Sequence, residues 1–372
     1  MRIAINCRSC SNKGGIGRYS RALIRELINK FDNHHFLLFS PPETDLAFID
    51  KKTNWENILV SGSSNRPLWE TFQLTNAVNK SEPDIFHNPD YTVPSGIKAP
   101  STVTVHDLSF KYYPIGVSLK ARTLYNLLTP QSVGKAKLVM ADSESTKREI
   151  IRAGWKSAEF IRVVYLAVDD NFLTEINPEE SVSILQEFNL EPGYILYLGA
   201  IDKRKNITDI VKAYSELSGT HTGIPPLVLA GEDIGGASEV TDLILKLNIG
   251  NKVQRIGFVE PSKLKAVYSN AKMFVFPSRY EGFGLPPLEA MACGVPTIVS
   301  DSTSLPEVVG DSGLIVPLND IKKLAESMHQ LVTDKDLHLR LSENGRKRAS
   351  SFTWDKVADN VMRVYEEIVG TE

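Results

Sequence analysis

Two kinds of segment alternate along the chain. Short runs of apolar, β-branched and aromatic residues, such as Tyr194–Leu198, have no polar face and are typical of strands buried inside a parallel sheet. Longer stretches with apolar residues at every third or fourth position, such as Gly17–Phe31, lie between them and predict amphipathic helices. This alternation predicts an α/β fold in which helices cover parallel sheets.

The predicted strands form two series, separated by a polar stretch at Val168–Pro192. We expect the interdomain region there, between two Rossmann-like domains that face a cleft. The first series comprises Ile3–Cys7, His35–Phe39, Ile58–Val60, Asp84–His87, Thr102–Val105, Leu138–Ala141 and Arg162–Val164. The second comprises Tyr194–Leu198, Leu227–Ala230, Val253–Ile256, Met273–Phe276, Thr297–Val299 and Leu314–Val316. Further helical patterns cover Ser143–Ala153, Asp320–Thr333, Lys335–Ser350 and Thr353–Val369.

Composition agrees with two globular domains, because the chain has 372 residues with 42% hydrophobic and 23% charged. No apolar run approaches the roughly 18 residues of a membrane span, and charge interrupts the N-terminal apolar segment early. Three cysteines cannot form a disulfide framework, so we expect a cytoplasmic protein. The Cys7–Cys10 pair lacks the context of a redox or zinc motif, which favours two small residues at a strand end.

The net charge of −3 is distributed unevenly. Residues 1–172 contain 22 Lys and Arg against 17 Asp and Glu, whereas the remainder contains 20 against 28. A mildly basic first half suits an anionic acceptor or a membrane surface, and equally an ordinary solvated surface. The absence of a basic patch interleaved with aromatic residues argues against nucleic acid as a partner.

Loops that follow strands carry the candidate chemistry, because ligands bind parallel sheets at the carboxyl ends of the strands. The first such loop places Gly14 and Gly15 before a helix, where backbone N–H groups can approach a phosphate; a tight turn without a ligand is the alternative. The second places His106 after a strand, where it could bind a sugar, transfer a proton or satisfy a loop carbonyl.

Two further loops combine charge with glycine. Lys203, Arg204 and Lys205 follow a strand, so they could neutralise a phosphate, although a charge run is often only a solvated face. The segment PSRYEGFGLPPLEAMACGVPTIVS places Glu281 on a loop and Glu289 on the following helix. The glycine-rich backbone between them suits a diphosphate, with carboxylates available for hydroxyl groups on either side.

The Glu281-x7-Glu289 pair within this segment resembles the motif of the family 4 retaining glycosyltransferases, which adopt the GT-B fold. The GGIGRYS, HDLSF and DKRKN loops occur in the family's order, so the resemblance covers nearly the whole chain. It implies an acceptor-binding domain at 1–172 and a nucleotide-sugar-binding domain at 173–352. A C-terminal helix within 353–372 would return to the first domain.

The resemblance also implies roles for individual residues. Glu281 would contact hydroxyls of the donor sugar and Glu289 the ribose, while Arg204 and Lys205 would neutralise the diphosphate. His106 would contact the transferred sugar near the reacting carbon. The remaining implied donor-binding positions are the loop residues Gly282, Phe283, Gly284 and Leu285, the base-proximal Gly257 and Phe258, and Gly14 and Gly15 of the first loop. Many relatives carry an arginine where this chain has Ala200, which transfers more of the phosphate charge to Arg204 and Lys205.

The chemistry implied is transfer of a hexose with retention of configuration. The partners are a nucleotide-sugar donor, with no other cofactor, and a glycan or lipid-linked glycan acceptor. No Asp-x-Asp clamp follows a strand, and Asp169-Asp170 lacks that spacing, so we expect no metal. The motifs look most like those of bacterial mannosyltransferases of surface polysaccharide assembly, which implies GDP-mannose. UDP-glucose, UDP-N-acetylglucosamine or another hexose donor remains open.

Two other functions fit the same motifs. A nucleotide-sugar 2-epimerase would need no acceptor, and a non-catalytic nucleotide-sugar-binding protein would bind the donor without turnover. An amphipathic segment at Ser118–Lys137 would touch the inner face of a membrane that carries the acceptor; the alternative is a helix packed on the first domain with a basic outer face.

Overall fold

The computed structural model describes residues 1–12, 14–114 and 118–370, and these form two compact units. Unit 1 contains Met1–Tyr112, Ser118–Ala167 and the C-terminal segment that begins at Trp354. Unit 2 contains Val168–Thr353 together with the short segment that begins at Tyr113. The sequence predicts boundaries after residues 172 and 352, and the structure places them after Ala167 and Thr353.

Unit 1 is built on a seven-stranded parallel sheet with the order β3-β2-β1-β4-β5-β6-β7. Its central strands are buried on both faces, which explains their continuous apolar sequences. The strands are β1 (Arg2–Asn6), β2 (His35–Ser40), β3 (Trp55–Leu59), β4 (Ile85–Asn88), β5 (Ser101–Val105), β6 (Leu138–Ala141) and β7 (Ile161–Val163).

Unit 2 is built on a six-stranded parallel sheet with the order β10-β9-β8-β11-β12-β13. Strands β8 and β11 are neighbours at the centre, so the loops that follow them leave the sheet side by side. The strands are β8 (Tyr194–Leu198), β9 (Leu227–Ala230), β10 (Val253–Gly257), β11 (Ala271–Phe276), β12 (Thr297–Ser300) and β13 (Leu314–Val316).

Helices connect these strands as the alternating pattern predicts. The α-helices are α1 (Gly15–Lys30), α2 (Arg66–Leu68), α3 (Thr75–Ser81), α4 (Ser109–Tyr112), α5 (Leu119–Lys135), α6 (Glu144–Arg152), α7 (Pro178–Glu187), α8 (Ile207–Thr220), α9 (Ala237–Lys246), α10 (Leu264–Ser269), α11 (Leu285–Ala292), α12 (Leu305–Val309), α13 (Ile321–Thr333), α14 (Lys335–Ala349) and α15 (Trp354–Gly370). A π-helical segment, Trp69–Leu74, joins α2 to α3, and 3-10 turns occupy Arg8–Ser11, Ala158–Phe160, Asp170–Phe172, Lys203–Lys205, Gly250–Lys252, Pro261–Lys263 and Gly310–Ser312.

The boundary between the units falls at the start of the predicted interdomain stretch, between Ala167 and Val168. The rest of the stretch belongs to unit 2 and contains helix α7. Asn177 caps this helix, because its side chain accepts hydrogen bonds from the N–H groups of Glu179 (2.8 Å) and Glu180 (3.2 Å). Pro178 occupies the first turn, where a missing N–H costs little. The Asn-Pro step therefore starts a helix instead of ending the domain.

The expected amphipathic character of Ser118–Lys137 is wrong, although most of the segment is helix α5. Apolar and basic residues are mixed at its exposed N-terminal end, where Leu119 and Leu127 are exposed together with Lys120 and Arg122. Burial is confined to the C-terminal part of the helix, at Thr129, Ser132 and Val133.

The C-terminal helix α15 is an integral part of unit 1. Its buried residues recur with helical spacing and pack against α1. The hydroxyl of Tyr365 lies 2.6 Å from Nδ1 of His87 on β4, in the interior of the unit. Burial lowers the pKa of His87 to about 3, so this histidine is neutral and structural.

Within the described ranges, no helix is both long enough and apolar enough to span a bilayer.

Candidate functional site

The loops that follow β8 and β11 bring together the cations and one of the two glutamates singled out in the sequence. Nζ of Lys205 lies 2.6 Å from Oε1 of Glu281. Nη1 of Arg204 lies 3.4 Å from Oε2 of Glu281 and donates a hydrogen bond to the carbonyl of Tyr280 at 2.9 Å. The adjacency of the two strands in the sheet places these loops side by side, although they are more than 70 residues apart in sequence.

This ion cluster is buried, because Lys205 is 7% exposed and Glu281 is 9% exposed. Burial alone would raise the pKa of Glu281, but the positive charges of Lys205 and Arg204 outweigh it and lower this pKa, so the carboxylate is ionised. Burial lowers the pKa of Lys205, and the attraction of Glu281 opposes that shift. Nζ of Lys205 also lies 4.9 Å from the ring centroid of Phe276, which favours the cation.

Local sequence holds the two cations in place. The side chain of Asp202 accepts hydrogen bonds from the backbone N–H groups of Arg204 (2.7 Å) and Lys205 (3.1 Å), and so caps the 3-10 turn that carries them. Asn206 then adopts a left-handed conformation, with a φ of 58°, to start α8. The N–H of Arg279 donates to the carbonyl of Arg204 at 2.8 Å and ties the cation loop to the glutamate loop.

The glycine-rich loop after Glu281 is fixed by hydroxyl groups. Thr303 accepts from the N–H of Glu281 at 3.0 Å, and Ser304 donates to the carbonyls of Glu281 (3.0 Å) and Phe283 (2.5 Å). Gly284 has a φ of 123°, which L side chains rarely adopt, and this turn starts α11 at Leu285 as predicted. Gly282, Phe283 and Gly284 therefore lead into the N-terminus of a helix.

Glu289 lies on α11 as predicted, and it is 2% exposed. The hydroxyl of Tyr268 donates a hydrogen bond to its Oε2 at 3.0 Å. The structure thus brings Glu281 into the cation cluster, whereas Glu289 is buried against Tyr268 of α10.

The segment predicted to lie near the base follows β10 at the same edge of the sheet. Gly257 has a φ of 69°, and its carbonyl accepts a hydrogen bond from the N–H of Gly231 at 2.7 Å. The side chain of Phe258 is 64% exposed, which is unusual for so large an apolar residue. An exposed aromatic ring therefore stands at the carboxyl end of this strand.

In unit 1, the first glycine loop forms the start of α1. Gly14 precedes the helix, and its N–H donates to Oδ1 of Asn12 at 2.7 Å. Gly15 faces open space, whereas a Cβ on Gly17 would lie 1.8 Å from the carbonyl oxygen of Asn12. Gly17 is thus required for packing, and the backbone at Gly15 is accessible.

His106 follows β5 as predicted, but both ring nitrogens already have partners within unit 1. Nδ1 lies 2.8 Å from the carboxylate of Asp142, and Nε2 lies 2.9 Å from the carbonyl of Pro89. A carbonyl and a carboxylate both accept, so the ring donates twice and is an imidazolium. Burial would lower its pKa, but Asp142 outweighs burial and raises the pKa to about 9. This geometry corresponds to the structural alternative stated for His106.

Several charged residues of unit 1 form buried ion pairs that the sequence does not predict. Asp142 follows β6 directly and Asp90 follows β4, so the rule that strand ends carry chemistry could have identified both. Arg66 bridges Asp90 (2.6 Å) and Glu70 (2.9 Å), and Thr92 donates to Glu70 at 2.9 Å. Arg66 and Glu70 lie on the helical segments between β3 and β4 and had no strand-end signal.

Comparisons with known proteins bear on both halves of the chain. Residues 183–348 match the family described as Glycosyl transferases group 1, and residues 13–172 match Glycosyltransferase Family 4. O-antigen chain mannosyltransferase B of Escherichia coli is 31% identical over 95% of this chain and 96% of that protein. The serotype-specific mannosyltransferase WbdA of Escherichia coli is 32% identical over 60% of this chain, which corresponds to 28% of WbdA.

The fold is also found among solved structures. A sucrose-phosphate synthase from Thermosynechococcus elongatus superimposes with a TM-score of 0.78, 22% identity and complete coverage of both chains. The two parallel sheets with flanking helices, together with this likeness, establish an α/β architecture of the GT-B class. Because a relative above 30% identity aligns along nearly the whole chain and both halves match glycosyltransferase families, the chain belongs to the family 4 glycosyltransferases and is a glycosyltransferase enzyme.

Proposed function

We propose that this enzyme transfers mannose from GDP-mannose, with retention of configuration, to a glycan or lipid-linked glycan in the synthesis of O-antigen or a similar surface polysaccharide. The observation that carries the proposal is the buried cluster of Arg204, Lys205 and Glu281 beside a helix N-terminus. The names of the relatives support the sugar, because the proteins aligned over 95% and over 60% of this chain are mannosyltransferases.

We place the donor site in unit 2 at the carboxyl ends of the strands, where the loops after β8, β10 and β11 lie. The diphosphate would lie against Arg204 and Lys205 and the N-terminus of α11, where cations and the helix dipole both favour negative charge. The exposed ring of Phe258 offers a stacking surface for the base. Glu289, one helical turn beyond the start of α11, would take the ribose hydroxyls after a change of its present hydrogen bond to Tyr268.

The reaction requires stabilisation of the leaving nucleoside diphosphate as the glycosidic bond breaks. Arg204 and Lys205, two cations at the buried end of the sheet, would supply this stabilisation once the diphosphate lies against them. Glu281 is a poor candidate for a covalent nucleophile, because cations contact both of its oxygens and its pKa is lowered. We therefore assign Glu281 to binding of the sugar hydroxyls, and we propose that the phosphate oxygen assists deprotonation of the acceptor.

The hydrogen bonds of His106 lead us to propose a different role for it from the one that the resemblance implies. An imidazolium that donates to Asp142 and Pro89 has no nitrogen available to accept a proton, so we propose that it positions the loop at the end of β5. Its positive charge would also favour negative charge that develops nearby. We further propose that unit 1 binds the acceptor.

The donor is tested by a thermal-shift panel of GDP, GDP-mannose, UDP, UDP-glucose and UDP-N-acetylglucosamine. Because a ligand that binds only the folded state raises the melting temperature, GDP and GDP-mannose should each produce a shift. A shift with uridine compounds alone would contradict the GDP-mannose assignment and favour a UDP-hexose donor. No shift with any of the five would contradict the proposed donor site.

Product analysis separates transfer from 2-epimerisation, because an epimerase would convert a UDP sugar without an acceptor.

Catalysis should survive chelation, because in the proposed mechanism Arg204 and Lys205 neutralise the diphosphate and no metal is needed. The measurement is GDP release from GDP-mannose before and after incubation with EDTA. We expect the rate to stay within about twofold of the untreated rate, that is, within about 0.4 kcal/mol of activation free energy. A loss of activity that added Mg²⁺ or Mn²⁺ restores would contradict this mechanism.

The ionisation of His106 is tested by NMR titration of the histidine rings. We expect His106 to titrate near a pKa of about 9. The same ring in Asp142→Asn should titrate below its ordinary value, because burial then acts without the carboxylate. Since the folded pKa is raised, the stability contributed by this pair is complete below about pH 6.5 and is lost as the pH rises through 9. A wild-type pKa at or below about 6.5 would restore His106 as a candidate proton-transfer group.

A further inference from the structure

In this structure, the cations proposed to bind the donor diphosphate are paired with carboxylates. We infer that Glu281 occupies the place of the diphosphate, and that donor binding moves Lys205 from the carboxylate to a phosphate oxygen. Glu281 is thereby released to accept hydrogen bonds from the donor sugar. This inference rests on the proposed function, since it describes how the same site changes partners.

Charge balance within the cluster makes the exchange necessary. Arg204 and Lys205 supply two positive charges, and Glu281 and Asp202 supply two negative charges. Oε1 of Glu281 lies 2.6 Å from Nζ of Lys205, and Oδ2 of Asp202 lies 3.7 Å from Nη2 of Arg204. A diphosphate therefore enters a neutral cluster, in which Glu281 would repel it. Because a buried charge is costly without a partner, the diphosphate gains full stabilisation only if a cation changes partner.

The contacts indicate which side chain moves. Lys205 holds Glu281 through one short contact of 2.6 Å, and its ammonium group is a compact charge on a flexible stem with three N–H groups. Arg204 is anchored separately by its hydrogen bond to the carbonyl of Tyr280. The backbone of Glu281 is held by Thr303 and Ser304, so its carboxylate can respond only by side-chain rotation. The exchange is therefore confined to the side chains of Lys205 and Glu281.

This exchange couples recognition of the phosphate to recognition of the sugar. When Lys205 leaves, the buried carboxylate of Glu281 needs new hydrogen-bond donors, and hydroxyls of the donor sugar supply them. A nucleoside diphosphate without a sugar leaves Oε1 of Glu281 without its Lys205 partner, so it binds less tightly than it otherwise would. The cluster thus favours the intact donor over the product, and promotes product release after transfer.

The inference is tested with Glu281→Gln by calorimetric titration of GDP and of GDP-mannose. The neutral amide competes with phosphate for Lys205 much less strongly than the carboxylate does, so GDP should bind about tenfold more tightly than to the wild type. GDP-mannose should gain less, because the neutral amide is a weaker acceptor for sugar hydroxyls than the carboxylate. The ratio of the two dissociation constants should therefore move in favour of GDP, by up to about tenfold.

Glu239→Gln is the matched control. It removes the same charge from a surface ion pair, in which Oε2 of Glu239 lies 3.7 Å from Nζ of Lys203. We expect this variant to leave the ratio of the GDP and GDP-mannose dissociation constants unchanged. An unchanged ratio in Glu281→Gln, or an equal change in both variants, would overturn the inference.

A second measurement uses the unmodified protein, because Glu281→Gln leaves buried cations without a full partner and could fail to fold. Crystal structures without nucleotide and with GDP, or with UDP if the panel selects it, give the Lys205 Nζ to Glu281 Oε1 distance. We expect this distance to exceed hydrogen-bonding range, about 3.5 Å, only in the complex. A complex that retains the short contact overturns the exchange while leaving the donor site intact. Failure of the wild type to bind any of the panel nucleotides would instead overturn the proposed function.

Discussion

The buried ion pair between Lys205 and Glu281 links the two loops on which the candidate site of unit 2 depends. Removing two charges from water costs several kcal/mol per ion, and their mutual attraction typically does little more than offset that cost. Such a pair adds little net stability, yet breaking it by removal of one partner is expensive. The pair is therefore best understood as a device that fixes charge at the carboxyl end of β8 and β11, where a ligand can exploit it.

Unit 1 also contains buried ion pairs. His106 and Asp142 form a buried pair after β5 and β6, and Arg66 is held between Glu70 and Asp90 next to β4. In both units, buried charge is concentrated where parallel strands end, because only there do loop side chains and backbone N–H groups converge. The consequence differs: the cations of unit 2 can exchange partners, whereas both nitrogens of His106 are committed to the protein.

Much of this architecture follows from the sequence, and the exceptions have physical causes. Continuous apolar runs identify β8 and β11 because both faces of a central parallel strand are buried. The polar stretch Val168–Pro192 contains the step Asn177-Pro178, and an X-Pro step can end one helix or begin the next. Ile184 and Leu185, which are buried in the structure, favour the second. Short-range patterns of this kind cannot decide between the two.

The candidate site, like the fold, follows from the sequence only in part. The strand-end rule identifies Lys205 and Glu281 separately, since each follows a predicted strand. Their direct contact depends on which strands are neighbours, and strand order is a long-range property that local sequence does not encode. The commitment of His106 to Asp142 has the same origin, because β5 and β6 pair only in the folded sheet.

The central claim, that Lys205 belongs to a diphosphate site, is tested most directly by comparing two neighbouring lysines. Lys205→Ala and Lys203→Ala remove the same charge two residues apart, but the side chain of Lys203 is 69% exposed and that of Lys205 is 9% exposed. Calorimetric titration with GDP and GDP-mannose should show at least about a tenfold loss of affinity for Lys205→Ala and a change within about threefold for Lys203→Ala. Equal affinities in the two variants would contradict the claim that this cluster binds the donor.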